Sequence, residues 1–182
     1  GGTTGTVDTY SGSLTADVGD QITVSGETKD VHLTLKADDG TQVTDGVTWS
    51  VDDTKIGSIS GDGTFHANGY VGGVVTISAT VGDGTISKQI TVDVDITVND
   101  GKISDADQGL LAAGGEGDAT YKFLYPYDGT VFPRGLAAPV LQLAGTAATA
   151  TYTTITLPHF SYKQFSAALT RVQVKLPEPV WK

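Results

Sequence analysis

From Leu14 onward the chain is written in short runs that alternate apolar and polar residues, each cut off by glycine and aspartate. A period of two puts successive side chains on opposite faces, so such runs bury one face as strands and make poor helices. The runs are Leu14–Val18, Gln21–Ser25, Val31–Lys36, Val47–Val51, Ile56–Ser60, Thr64–Ala67, Val74–Val81 and Ile86–Val94. Between them stand Gly19-Asp20, Asp38-Asp39-Gly40, Gly61-Asp62-Gly63, Gly69 to Gly73 and Gly82-Asp83-Gly84, residues that tolerate the positive φ of tight turns. Strands at this spacing predict a β-sandwich, and the fold class is all-β.

The chain has 182 residues, enough for one large or two small cores. It contains no cysteine, which excludes disulfides, thiol nucleophiles, zinc–thiolate sites and iron–sulfur clusters. Methionine is absent too, position 1 included. Residues 1–11, opening Gly-Gly-Thr-Thr-Gly-Thr, read as a flexible tether behind a cleaved export signal, with residues left from cloning as the alternative. No apolar run approaches the roughly 20 residues of a membrane-spanning helix, so no transmembrane segment is expected. Residues 1–118 carry 19 acidic and 5 basic side chains, whereas residues 119–182 carry 2 and 6. The acidic part argues against nucleic acid as a partner. The opposite signs suit contact between the halves or between copies; a solvated acidic domain beside an ordinary one reads equally well.

A Val-Gly-Asp turn, Val47-Thr48-Trp49-Ser50, Ile56-Gly57-Ser58-Ile59, Gly61-Asp62-Gly63-Thr64-Phe65-His66-Ala67, a glycine loop, Val75-Thr76-Ile77-Ser78-Ala79 and Ile90-Thr91-Val92 follow in that order. Over residues 12–95 this series resembles the bacterial immunoglobulin-like group 2 family. The departure is at 26–46, where Glu27-Thr28-Lys29-Asp30 interrupts an expected strand. The resemblance implies an Ig-like sandwich acting as a spacer or adhesive module on an exported, extracellular or cell-surface protein. It implies no catalytic residues, and partners that are other surface proteins or copies of the chain. Trp49 would be the core tryptophan between the sheets.

Residues 96–118 form a linker in which Ser104 to Gly114 reads as a short helix, with Ser104 as N-cap and Gly114 as the stop. Asn99 to Asp107 also has the look of a calcium loop. With Gly101 in the sixth position, Asp100 falls fifth, Ile103 eighth and Asp107 twelfth, with Asp105 between them. The first and third positions would be Ile96 and Val98, which cannot ligate calcium. Calcium is therefore the one cofactor to consider, at Asp100, Asp105 and Asp107, against a capped helix with no cofactor.

Residues 119–182 predict a second, small or incomplete β-sandwich, with strands at Val140–Leu143, Ala150–Leu157 and Arg171–Leu176. Pro177 to Trp181 reads as a turn within a domain, so the chain is expected to continue or to receive a strand from elsewhere. Phe123 to Arg134 packs aromatics and prolines around a turn, and resembles the opening of a second β-sandwich of secreted bacterial surface proteins. Tyr125, Tyr127 and Phe132 could stack on sugar rings while Asp128 and Arg134 bind hydroxyls, making a glycan-binding module of a larger secreted protein. Alternatively the same rings rigidify the domain entrance. His32, His66 and His159 lack metal-ligand spacing, no serine sits in a nucleophile elbow, and Asp52-Asp53 lies beside a turn. Gly61-x-Gly63 and Gly82-x-Gly84 precede strands, not helices, so neither is a phosphate loop. The sequence reads as non-catalytic.

Overall fold

The computed structural model describes residues 8–117, 119–133, 135–145, 149–167, 173–175 and 178–181. Most of the expected tether, and Arg171-Val172 of one expected strand, lie outside them. The strands are β1 (Asp8–Thr9), β2 (Gly12–Ala16), β3 (Gln21–Val24), β4 (Lys29–Ala37), β5 (Val47–Val51), β6 (Gly57–Ile59) and β7 (Thr64–Ala67). The long pair β8 (Gly73–Val81) and β9 (Gly84–Asn99) follows, then helix α1 (Asp105–Ala113). Thereafter come β10 (Phe123–Tyr125), β11 (Val140–Leu143), β12 (Ala150–Leu157), β13 (Phe160–Ala167), β14 (Gln173–Lys175) and α2 (Glu178–Trp181). The all-β class with a short helix between sandwich-type sheets is as the sequence predicts. No helix among the described residues is long and apolar enough to cross a membrane.

The residues divide into two compact units, one up to Asp95 together with Leu157–Phe160, the other Ile96–Thr156 with Ser161 onward. In the first, Gly82-Asp83 closes the β8–β9 hairpin, with Val81 opposite Gly84 and the register unbroken to Gly73 opposite Val92. The opposite edge of β9 takes two parallel partners. β1 pairs Asp8 with Gly84, and β3 pairs Gln21 through Val24 with Thr91 through Val94. β5 completes this sheet outside β8. The facing sheet runs β2-β4-β7-β6.

Alternation now becomes a core. Ile22, Val24, Val75, Ile77, Ala79, Ile90, Val92 and Val94 of one sheet are buried, as are Leu14, Val31, Leu33, Leu35, Phe65 and Ala67 of the other. Phe65, cross-strand from Val31, has no exposed surface and is the aromatic at the centre. Trp49, expected there, is only half-buried. Its strand, β5, is the sheet's outer member, so an inward-facing residue there covers the rim of the core. Periodicity reveals which face a residue takes but not how far across the sheet its strand lies.

The turn under Trp49 is held tightly. Gly63 has φ +83°, and a Cβ on it would lie 2.8 Å from Trp49 Cζ2 and 3.1 Å from the Leu33 carbonyl. Asp62 accepts from the Ser60 hydroxyl and, at 3.0 Å, from the Thr64 amide. Those two bonds, the Ser60 one first, hold its carboxyl down at about 2. Within β9, Asp93 accepts from Gln21 Nε2 at 2.5 Å and meets His159 Nδ1 at 2.8 Å. Gln21 chiefly, then His159, lowers the Asp93 carboxyl below its ordinary range. The His159 carbonyl, from the turn that belongs to this unit, accepts from the Val94 amide at 3.0 Å.

In the second unit β10, β11 and β14 form one sheet, with Phe123 opposite Leu143 and Val140 opposite Lys175. The end of β9 and β12 flank β13 in another. β13 is a strand that the hydrophobic pattern did not announce. Its run Tyr162-Lys163-Gln164-Phe165-Ser166 does not alternate, because Tyr162, Gln164, Phe165 and Ser166 are all buried, on both faces. Gln164 lies inside because its polar ends are satisfied. Tyr162 Oη donates to Gln164 Oε1 at 3.0 Å, and Gln164 Nε2 donates to Asp100 Oδ2 at 3.1 Å. Burial, then the Asp100 charge, pushes the Tyr162 hydroxyl up to about 12.

Two outcomes follow for the first unit, both read by urea unfolding. Gly63→Ala should cost about 2–4 kcal/mol, combining left-handed backbone strain with overpacking against Trp49. Gly82→Ala, at φ +58° with open space around it, should lose only the strain, about 1–2 kcal/mol. A carboxyl depressed on folding stabilises above its unfolded value and loses that contribution as pH falls through its folded value. Asp62→Asn should therefore be the less stable protein near neutrality, with the difference vanishing between about pH 4 and pH 2.

Candidate functional site

The aromatic passage after α1 divides in two. β10 carries Tyr125 into a cis bond with Pro126, and the chain turns at Tyr127-Asp128-Gly129-Thr130. Both the amide and the hydroxyl of Thr130 donate to the Tyr127 carbonyl, at 3.1 and 2.7 Å, which closes that turn. Tyr125 and Phe132 come together edge to face with ring centres 6.3 Å apart. Phe132 meets Trp181 of α2 in the same manner at 5.1 Å. Tyr127 stands outside this cluster, 73% exposed, and Asp128 beside it is exposed in the turn. Arg134 lies outside the described residues. Trp181 is the member that sequence reasoning missed; it sits among prolines, with no periodicity to place it. Phe132 thus meets both of the other rings edge to face, while Tyr125 stays 38% exposed.

The three acidic candidates for calcium each accept from a different protein group. Ser104 caps α1: its hydroxyl accepts from the Asp107 amide at 3.3 Å and donates to Asp107 Oδ2 at 2.7 Å. Ser104 is thus a side-chain N-cap, and Asp107 orients its hydroxyl. Gly114, at φ +71°, ends the helix by donating its amide to the Leu111 carbonyl. Asp105 Oδ1 accepts from Gln108 Nε2 at 3.3 Å, within the first turn of the helix. Asp100 serves the buried Gln164 instead. Among the described residues no three His, Asp or Glu side chains converge as a metal site.

The histidines likewise have separate partners. His66 Nδ1 lies 2.6 Å from Asp30, His32 Nδ1 lies 2.9 Å from the Thr64 hydroxyl, and His159 holds Asp93. Asp52, half of the paired carboxylate in the sequence, accepts from the Thr76 amide at 2.9 Å, a bond that lowers its carboxyl.

No family model matches the chain, and no curated protein matches it. Solved structures do. Domains 4 and 5 of the S-layer protein SbsC are 24% identical over 44% of this chain and 50% of that one, with a TM-score of 0.34. Domains 4–9 of the surface layer protein SbsC are 15% identical over 90% and 30% of the two chains, at 0.35. The longer SbsC(31–844) fragment is 15% identical over 92% and 24%, at 0.34. The chain thus spans half or less of each of these.

Asp100 offers the discriminating substitution. Asp100→Ala removes an acceptor from a buried amide and should cost about 1–3 kcal/mol. The loss of melting temperature should be the same with and without a calcium chelator, and the parent protein should not respond to the chelator. A chelator-sensitive parent whose sensitivity disappears in Asp100→Ala or Asp107→Ala would instead make these carboxylates ligands.

Proposed function

We propose that the chain is a non-catalytic structural module of an exported bacterial surface protein, an immunoglobulin-like sandwich that serves as a spacer under tension or a subunit of an extracellular assembly. The observation that carries this reading is the parallel pairing of β1 and β3 with β9. Gln21 lies beside Thr91 and Val24 beside Val94, so the chain approaches at one end of this ladder and leaves the first unit at the other. A pull along the chain loads the ladder's hydrogen bonds sideways and together, where an antiparallel entry would let them open one at a time.

The residues of the family resemblance support the same reading. Trp49 covers the turn at Gly63, Asp62 ties that turn to Ser60 and Thr64, and Ile77 and Ala79 fill the core. Each is occupied in holding the sandwich. The role itself is argued from architecture and resemblance, since a fold admits many functions. Of the rings named for a glycan platform, Tyr125 and Phe132 pack against each other, and Tyr127 stands apart from them.

The full chain held by its two ends in an optical trap tests this. The first unit should open in one step that releases about 300 Å of chain. The force should exceed that needed for the second unit. Stepwise opening of residues 8–95 at low force would overturn the spacer reading.

A further inference from the structure

We propose that a cavity in the second unit is the seat of an added β-strand, supplied by another polypeptide as an extended segment with apolar side chains at alternate positions and an acidic group. The cavity measures about 520 Å³, against the ~30 Å³ that a water occupies. Leu111, Phe123, Leu141 and Leu143 give it apolar walls, and its remaining long wall is residues 150–154, in sequence. Side chains alternate along a strand, so five consecutive residues flank one cavity only when it runs along the strand's edge. β12 is the outermost strand of its sheet, and among the described residues it pairs with β13 alone. Among the described residues nothing pairs with its other edge, and residues 150–154 of the same strand line the cavity.

A second observation is independent of shape. Thr151 is 8% exposed, lines the cavity, and its hydroxyl has no hydrogen-bond partner among the described residues. A buried polar atom left so costs free energy that a partner restores. A purely apolar small molecule would fill the walls and leave both this hydroxyl and the strand edge unpaired. An added strand supplies main-chain partners to the edge and a cross-strand polar side chain to the hydroxyl, and its alternate side chains enter between Leu111, Leu141 and Leu143. Lys122 at the same wall, with six basic against two acidic side chains over residues 119–182, selects for an acidic strand. This inference goes beyond the spacer reading and does not rest on it, because the force measurement concerns residues 8–95 and the cavity belongs to the other unit.

The chain itself supplies a probe of the right chemistry, a synthetic peptide of residues 90–98, Ile-Thr-Val-Asp-Val-Asp-Ile-Thr-Val. Amide exchange of the full-length protein by NMR, with and without this peptide, reads the site directly. Added protection should be confined to residues 150–154 and their neighbours on β10 and β11. Lys122→Glu, an exposed change, should weaken binding about tenfold through charge reversal. Thr151→Val should bind about threefold to tenfold more weakly while the free protein is at least as stable as the parent. The proposal is overturned if a saturating peptide leaves residues 150–154 unprotected in the folded protein. It is equally overturned if a peptide of the same composition with the alternation scrambled binds as well. Dodecanoate filling the cavity in competition with 1-anilinonaphthalene-8-sulfonate, with no peptide binding, would make it a small-ligand site instead.

Discussion

Everything in the first unit depends on one strand being paired along both edges. β9 gives one edge to β8 over a full hairpin register and the other to β3 and β1 in parallel. A strand so placed is held on both sides at residues 84–85 and 91–92, and its alternate residues Ile90, Val92 and Val94 are sealed in the core. Parallel pairing also requires that the chain leave and return between β3 and β9, and three strands of the sheet β2-β4-β7-β6, namely β4, β6 and β7, are built from that intervening chain. The sandwich is thus closed by the same pairing that aligns its entry with its exit. Close packing of the two inner faces then fixes the rest, since a shift of one residue would turn the buried set outward.

Polar groups at the margins of that core act as fasteners. Asp62, Asp52 and Asp93 each accept hydrogen bonds that keep their carboxyls ionised below the ordinary range. Asp62 sits in a turn and Asp52 just past the end of β5, while Asp93 lies within β9 and ties Gln21 to His159. The surplus of acid in this part of the sequence is in these cases structural: each carboxylate is a compact acceptor for a backbone amide or a neighbouring side chain. The second unit does the reverse and carries its polar chemistry inside, in the Tyr162–Gln164–Asp100 chain.

Much of the fold was legible because burial on one face leaves period two in the sequence. β2 through β9 lie on runs that alternate, and Ser104 and Gly114 mark the ends of α1 by chemistry that only helix termini need. Legibility fails where burial is two-sided or set by depth. β13 conceals itself because Gln164 and Ser166 are inside, and Trp49 signals its face but not its place at the rim. The candidate site was less legible. Tyr125 and Phe132 do meet, but their partner Trp181 is far along the chain, and the carboxylates grouped as a calcium loop turn to different neighbours. Proximity in sequence gave the residue types and could not give the direction of their side chains.

Native-state hydrogen exchange tests most directly whether β3 and β9 act as one element. If they do, the amides of residues 21–24 exchange with the same free energy as those of residues 75–79 and 90–94, through opening of the whole unit. Exchange of residues 21–24 through a local opening far below that of the β8–β9 hairpin would contradict the account, because the entry strand would then peel away without the core.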